Sequence, residues 1–167
     1  MTGLDAYRQA VAKGGDGERV NRLFAAAWEQ LENDYFERLA ATTCEAGGWR
    51  ERFRAGATLT VGLVEQHPRE TSFLVVDALG AGTVGRIHRL RFSTRLADMI
   101  DTAREDLDDP DSVPPTTAAW IVGVFFDKIY RRCTNGSGAD LRLHLPELLF
   151  LGVSAYFGTE AGMEELF

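Results

Sequence analysis

Gly80, Gly82 and Gly85 in the segment GAGTVG fit the G-x-G-x-x-G spacing. After a strand, that spacing seats a pyrophosphate on a helix N-terminus. The preceding FLVVDAL could pass for such a strand, and Asp98 and Asp101 lie near the distance expected of a ribose-binding acid. The fingerprint has meaning only within a βαβ unit, and no further strands of a parallel sheet can be found. A joint between two helices is the favoured reading. A basic cluster, Arg86, His88, Arg89, Arg91 and Arg95, follows at once. On a helix Arg86 and Arg89 share one side, while Arg91 and Arg95 pair four residues apart on another. The cluster suits either an anionic ligand or a solvated face, and the solvated face is the simpler of the two.

The remaining reactive side chains are scattered. His67, His88 and His144 are isolated from one another, with no HExxH or ExxH pair to hold a metal. Ser72, Ser93, Ser137 and Ser154 lack a nucleophile-elbow context, and Cys44 and Cys133 have no neighbouring histidine in a nucleophile pattern. The acidic run from Glu105 to Asp111 lacks the glycine and oxygen spacing of an EF-hand. These absences predict a protein that is not an enzyme and has neither metal nor cofactor. Asp77, in an otherwise apolar segment, is the one residue an enzymatic reading would turn on.

Composition narrows the partners. The chain has 167 residues, 45% of them hydrophobic and 26% charged, which suits one globular domain. A net charge of −7 disfavours nucleic-acid binding by this chain alone, because phosphates are neutralised by clustered Lys and Arg. Two cysteines without CxxC spacing, and no signal-like start, predict a reducing, cytoplasmic setting with both thiols free and buried. The longest apolar stretch, residues 148–158, is about half of what spans a bilayer, so no membrane role is expected.

Helices must position whatever the chain binds. Residues 1–18 read as a short helix and linker ended by Gly14-Gly15, and residues 19–167 as the main domain. Asp16 is placed to cap a long helix to about residue 46, with Val20, Phe24, Ala27, Trp28, Leu31, Tyr35 and Leu39 on one face. Gly47-Gly48 ends it, and Trp49 opens a third helix that runs to His67-Pro68. A nearly all-apolar helix follows, then one from about Arg86 to Leu107. DDPDSVPP is the clearest loop, Asn135 to Gly138 another, and Gly158 is expected to end the last long helix. With no convincing strand pair, the fold class is all-α, an orthogonal bundle of seven to eight helices.

The last two long helices are apolar on two faces each. One face would pack within the domain, and the other asks for a further partner. A second copy of the chain is the simplest, giving a homodimeric four-helix interface through Ile121, Phe125, Ile129, Leu145, Leu148, Leu149, Gly152 and Tyr156. Both helices being central in a monomer is the alternative.

The order of elements, the W-x-x-R start at Trp49 and Arg52, the His67-Pro68 step, the apolar helix beyond it and the tail LPELLFLGVSAYFGTEAGMEEL together resemble one known family. Over residues 19–166 the chain is similar to the C-terminal ligand-binding and dimerisation domain of tetracycline-repressor-type (TetR) transcriptional regulators. The resemblance implies a small-molecule effector in a pocket among the helices. Its expected walls are Trp28, Tyr35, Phe53, Ala57, Val61, Phe73, Asp77, Ile87, Leu90, Trp120, Val124 and Phe126, suited to a lipophilic or aromatic compound. Family members carry a helix-turn-helix reader before this domain. Only about 18 residues precede the long helix here, without such a module, so DNA reading by this chain is not expected. A free-standing helical binding or dimerisation module is the alternative function.

Overall fold

The computed structural model describes residues 2–135 and 141–167; among these the regular elements are all helical. Helix α1, Gly3–Ala12, opens with a capping box in which Thr2 and Asp5 satisfy each other's backbone N–H groups. Helix α2, Gly17–Thr43, starts from Asp16, whose carboxylate accepts from the Arg19 amide at 3.2 Å. Helix α3, Trp49–Gln66, ends before Pro68, which occupies the first turn of α4, Pro68–Ser72. A π turn, Phe73–Asp77, joins α4 to α5, Ala78–Gly80. Helices α6, Gly82–Asp101, α7, Thr117–Asn135, and α8, Leu145–Met163, complete the set. The expected break at Gly158 is present as a kink, with φ +84°, inside α8. The expected loop at Asn135 to Gly138 falls mostly outside the described residues.

Two apolar clusters hold these helices. In the first, Phe24, Trp28 and Phe73 are almost fully buried and pack ring against ring with Tyr7, His88 and Phe92. Burying each large side chain contributes about 1.5–3 kcal/mol, and ring–ring geometry adds to that. Helix α1 belongs to this cluster through Leu4 and Tyr7, and Ala10 is buried as well, so the N-terminal segment is docked on α2. Arg8–Asp77 at 3.5 Å and Arg69–Asp5 at 3.2 Å tie its polar side to α4 and the π turn.

The second cluster joins α3, α7 and α8 through Trp49, Phe53, Ala57, Ile121, Leu149, Val153 and Tyr156. Ala103 and Val113 from the acidic connection complete it, with Leu107 packed against the cluster. Arg104 fastens this connection: it pairs with Asp101 at 2.9 Å and donates to the carbonyls of Val113 and Pro114 at 2.8 Å each. Here the expected dimer face is corrected. Ile121, Leu148, Leu149, Gly152 and Tyr156 are buried within the chain, because α3 and the 102–113 segment supply the partner that a second copy was invoked to supply. Leu145 is partly buried against both clusters.

The cysteine expectation also changes. Cys44 is exposed at the end of α2 and Cys133 is half-buried; both are free. Among the described residues no helix is long and apolar enough to cross a membrane.

Candidate ligand-binding cavity

Stripes of residues three and four apart on α2 and α3 face one another across a seam. Ala27, Leu31, Tyr35, Leu39 and Thr43 form the α2 stripe, and Phe53, Gly56, Ala57, Thr60 and Val64 the α3 stripe. Two contacts bridge the seam. The Tyr35 hydroxyl lies 2.9 Å from Thr60 Oγ1, and Leu39 Cδ1 lies against Gly56, where an added Cβ would be only 3.0 Å away. Along this seam runs a cavity of about 530 Å³, open in part to solvent. That volume is within the range of small-molecule sites.

Its inner wall is apolar: Leu74 and Val75 come from the π turn, Phe92, Leu96 and Ile100 from α6, and Val122, Phe125, Phe126 and Ile129 from α7. Polar groups are few and lie mainly on the α2 rim (Gln30, Asp34 and Arg38) and at the two ends. Thr43, Arg52 and Thr102 mark one end; Thr2, His67 and Glu70 mark the other. Burial raises the Tyr35 phenol above its ordinary range, which keeps it neutral and able to donate. Thr60 Oγ1 donates to the Gly56 carbonyl at 2.8 Å, which leaves its lone pairs directed toward Tyr35.

Of the expected walls, Tyr35, Phe53, Ala57 and Phe126 do line this cavity. Trp28, Val61 and Phe73 are instead part of the solid core, each at 1% exposure or less. Asp77 is one-third exposed and faces Arg8, away from the cavity lining. Ile87, Leu90 and Trp120 are corrections of direction, since they are 52%, 68% and 78% exposed. Val124 is half-buried and is not among the residues that line this cavity. Phe125 and Ile129, expected at a dimer interface, line the cavity instead. Helix α7 therefore presents to the interior the stripe that sequence reasoning assigned outward. Reasoning from sequence also missed Leu39, Leu96 and Ile100, although the first was on the expected buried face of α2.

The other chemistry-bearing patterns resolve as structure. Gly82 has φ +63°, a conformation that favours glycine, and a Cβ on Gly85 would collide with the Ala78 carbonyl. These glycines make the tight joint between α5 and α6. No strand precedes them, so the dinucleotide reading falls. The basic cluster disperses: His88 is buried beside Trp28, Arg89 lies 4.9 Å from the Phe126 ring centroid, and Arg95 stacks 3.7 Å from that of Phe36. Burial lowers the Arg89 pKa from its ordinary value.

A separate ionic site holds the C-terminal tail. Glu165, with 1% of its side chain exposed, receives Arg50 and Arg54, each at 2.7 Å. Burial would raise its pKa, but hydrogen bonds and charge from the two arginines outweigh that and hold the carboxyl below its usual range. Among the described residues no group of His, Cys, Asp and Glu is arranged to hold a metal. Comparison with family models, with curated proteins and with solved structures gave no match for this chain.

Proposed function

We propose that this chain is a small-molecule-binding and dimerisation domain of a TetR-type transcriptional regulator. The observation that carries the reading is the cavity of about 530 Å³, walled by the long helix, α3, the π turn, α6 and α7. These are the segments from which the sequence resemblance expects an effector pocket. The predominantly apolar lining, with a half-buried neutral phenol and a hydroxyl bonded to each other within it, favours a lipophilic ligand held by few polar contacts.

Dimerisation, in this reading, uses the faces of α7 and α8 that remain exposed. Trp120 is a large apolar side chain in solvent, and a Cβ on nearby Gly123 would meet nothing within 4 Å. Leu151 is exposed on α8, which packs against α7. A second copy seated there would cover Trp120, the kind of aromatic anchor that dominates interfaces. An effector that binds better to one arrangement of such a dimer would bias whatever the dimer controls.

The test is a thermal-shift screen of the chain against chemically varied lipophilic compounds, because a ligand bound only by the folded state raises its Tm by mass action. A concentration-dependent rise for one compound class supports the reading. Flat responses across the panel remove it. An electrophoretic shift showing specific DNA binding by this chain alone would overturn the assignment of no DNA reading to it.

A further inference from the structure

Cavity volume and cavity length together restrict the shape of the occupant. An apolar cavity of about 150 Å³ accommodates benzene, so one of about 530 Å³ corresponds to roughly twenty non-hydrogen atoms. The α2 stripe that lines it runs from Ala27 to Thr43, which at the α-helical rise is about 24 Å. Roughly twenty atoms over about 24 Å leave on the order of 1.2 Å of advance per atom. That is the advance of an extended zigzag chain; a fused-ring compound of equal atom count would be far shorter and wider.

The ends differ in charge. Near the Thr43 end lie Arg52, half-buried and donating one N–H to the Gly47 carbonyl at 2.8 Å, and the exposed Arg38; for Arg38 no ion pair or hydrogen bond is found among the described residues. Arg52 is one turn before Gly56, and Gly56 touches Leu39, so both arginines flank the same bridge across the seam. The acidic lining groups, Asp34 and Glu70, lie one turn before Arg38 and at the opposite end. Around that opposite end, Leu4, Ala27, Leu74 and Val75 supply apolar surface.

We infer that the cavity takes a long-chain carboxylate, its head at Arg38 and Arg52 and its tail along the α2/α3 seam toward Leu4 and Leu74. This rests on the small-molecule reading proposed above. Guanidinium groups suit a carboxylate because they donate through a planar fork. The tail gains affinity with each methylene removed from water, until the slot is filled.

Isothermal titration calorimetry with decanoate, tetradecanoate and octadecanoate, all below their micellar concentrations, tests length; hexadecanoate against hexadecanol and hexadecylamine tests the head. Affinity is expected to rise with chain length and to fall from carboxylate to alcohol to amine. Arg52→Gln, a partly exposed change compatible with folding, should weaken hexadecanoate about tenfold and leave hexadecanol unchanged. Ala57→Phe should block the seam and abolish long-chain binding, with circular dichroism confirming that the variant is folded. Equal binding of alcohol and carboxylate, or no effect of Arg52→Gln, overturns the placement of the head. Binding of compact aromatic compounds with no binding of chains overturns this inference and leaves the small-molecule reading standing. Binding of neither removes both.

Discussion

Helix α3 meets α2 along one face and α8 along the other, and the two seams are filled differently. Toward α8 the Phe53 ring lies directly on Gly152, so close that a Cβ there would collide with it. Trp49 stacks on Phe53 at 4.8 Å between centroids and donates from its indole N–H to the Ile100 carbonyl at 2.9 Å. Beyond them Arg50 and Arg54 close on Glu165. Toward α2 the helices touch through a leucine on a glycine and a phenol on a threonine, with open volume beneath. The α8 side of α3 is solid and the α2 side hollow, with Trp49 and Phe53 on the border, since both also line the cavity. Both rely on a small residue in α3 or its partner, but only on the α8 side does a ring occupy the space that residue leaves.

Substitutions can break this contrast, and the solid seam should be the more sensitive. Gly152→Val would force Phe53 out of its place, costing about 3 kcal/mol or more by overpacking, as a fall in the urea midpoint. A midpoint within error of wild type would mean that the α3/α8 seam is no tighter than the hollow one. Next, Glu165→Gln should cost about 1–2 kcal/mol at neutral pH, less than a fully buried pair because both arginines are partly exposed. The sign with pH follows from the lowered carboxyl. The stabilisation is fully present above the ordinary value of 4.5 and is lost as pH falls through the lower folded value. Wild type and variant should therefore converge below about pH 4.5, and parallel stability curves down to pH 3 would contradict the pairing.

On the hollow side Thr60→Val removes the partner of the Tyr35 hydroxyl and should cost about 1 kcal/mol, measured by the same urea titration. A loss as large as that of Gly152→Val would show that the seam is not hollow in solution. The smallest effect on monomer stability is expected from Trp120→Ser, within about 0.5 kcal/mol, since the side chain is largely in water. Its consequence should instead appear in light scattering. The wild-type chain should have a dimer mass at micromolar concentration and the variant a monomer mass.

The helical class, the stop at Gly14 and the start of α3 at Trp49 were legible because each rests on local backbone chemistry, whereas α2 ends at Thr43, short of the stop expected at Gly47. The faces of α7 were not. Its sequence is apolar on two stripes, and periodicity locates a stripe without saying what lies opposite. Trp120 and Val124 were therefore sent inward and Phe125 and Ile129 outward; the structure puts Trp120 in solvent, leaves Val124 half-buried off the cavity, and turns Phe125 and Ile129 to the cavity. The deciding information was non-local. The acidic connection, through Ala103, Leu107 and Val113, joins α3 in covering Ile121 and the inner side of α8. Of the cavity, Tyr35, Phe53, Ala57 and Phe126 were readable; the empty space they share was not, because a hollow is defined by side chains that fail to meet.

The π turn at Phe73–Asp77 carries one more residue per turn than its α-helical flanks and so acts as a phase shift in the middle of a short helix. Before it Thr71 faces the cavity, and at its last position Asp77 faces Arg8 on the N-terminal helix. Deleting one residue from the turn would restore the α-helical count and swing one half by about 100° relative to the other. Thr71 and Asp77 could then no longer meet both partners. The docking of α1 and the shape of the cavity wall are thereby keyed to a single irregular turn, and anything that regularises it moves both at once.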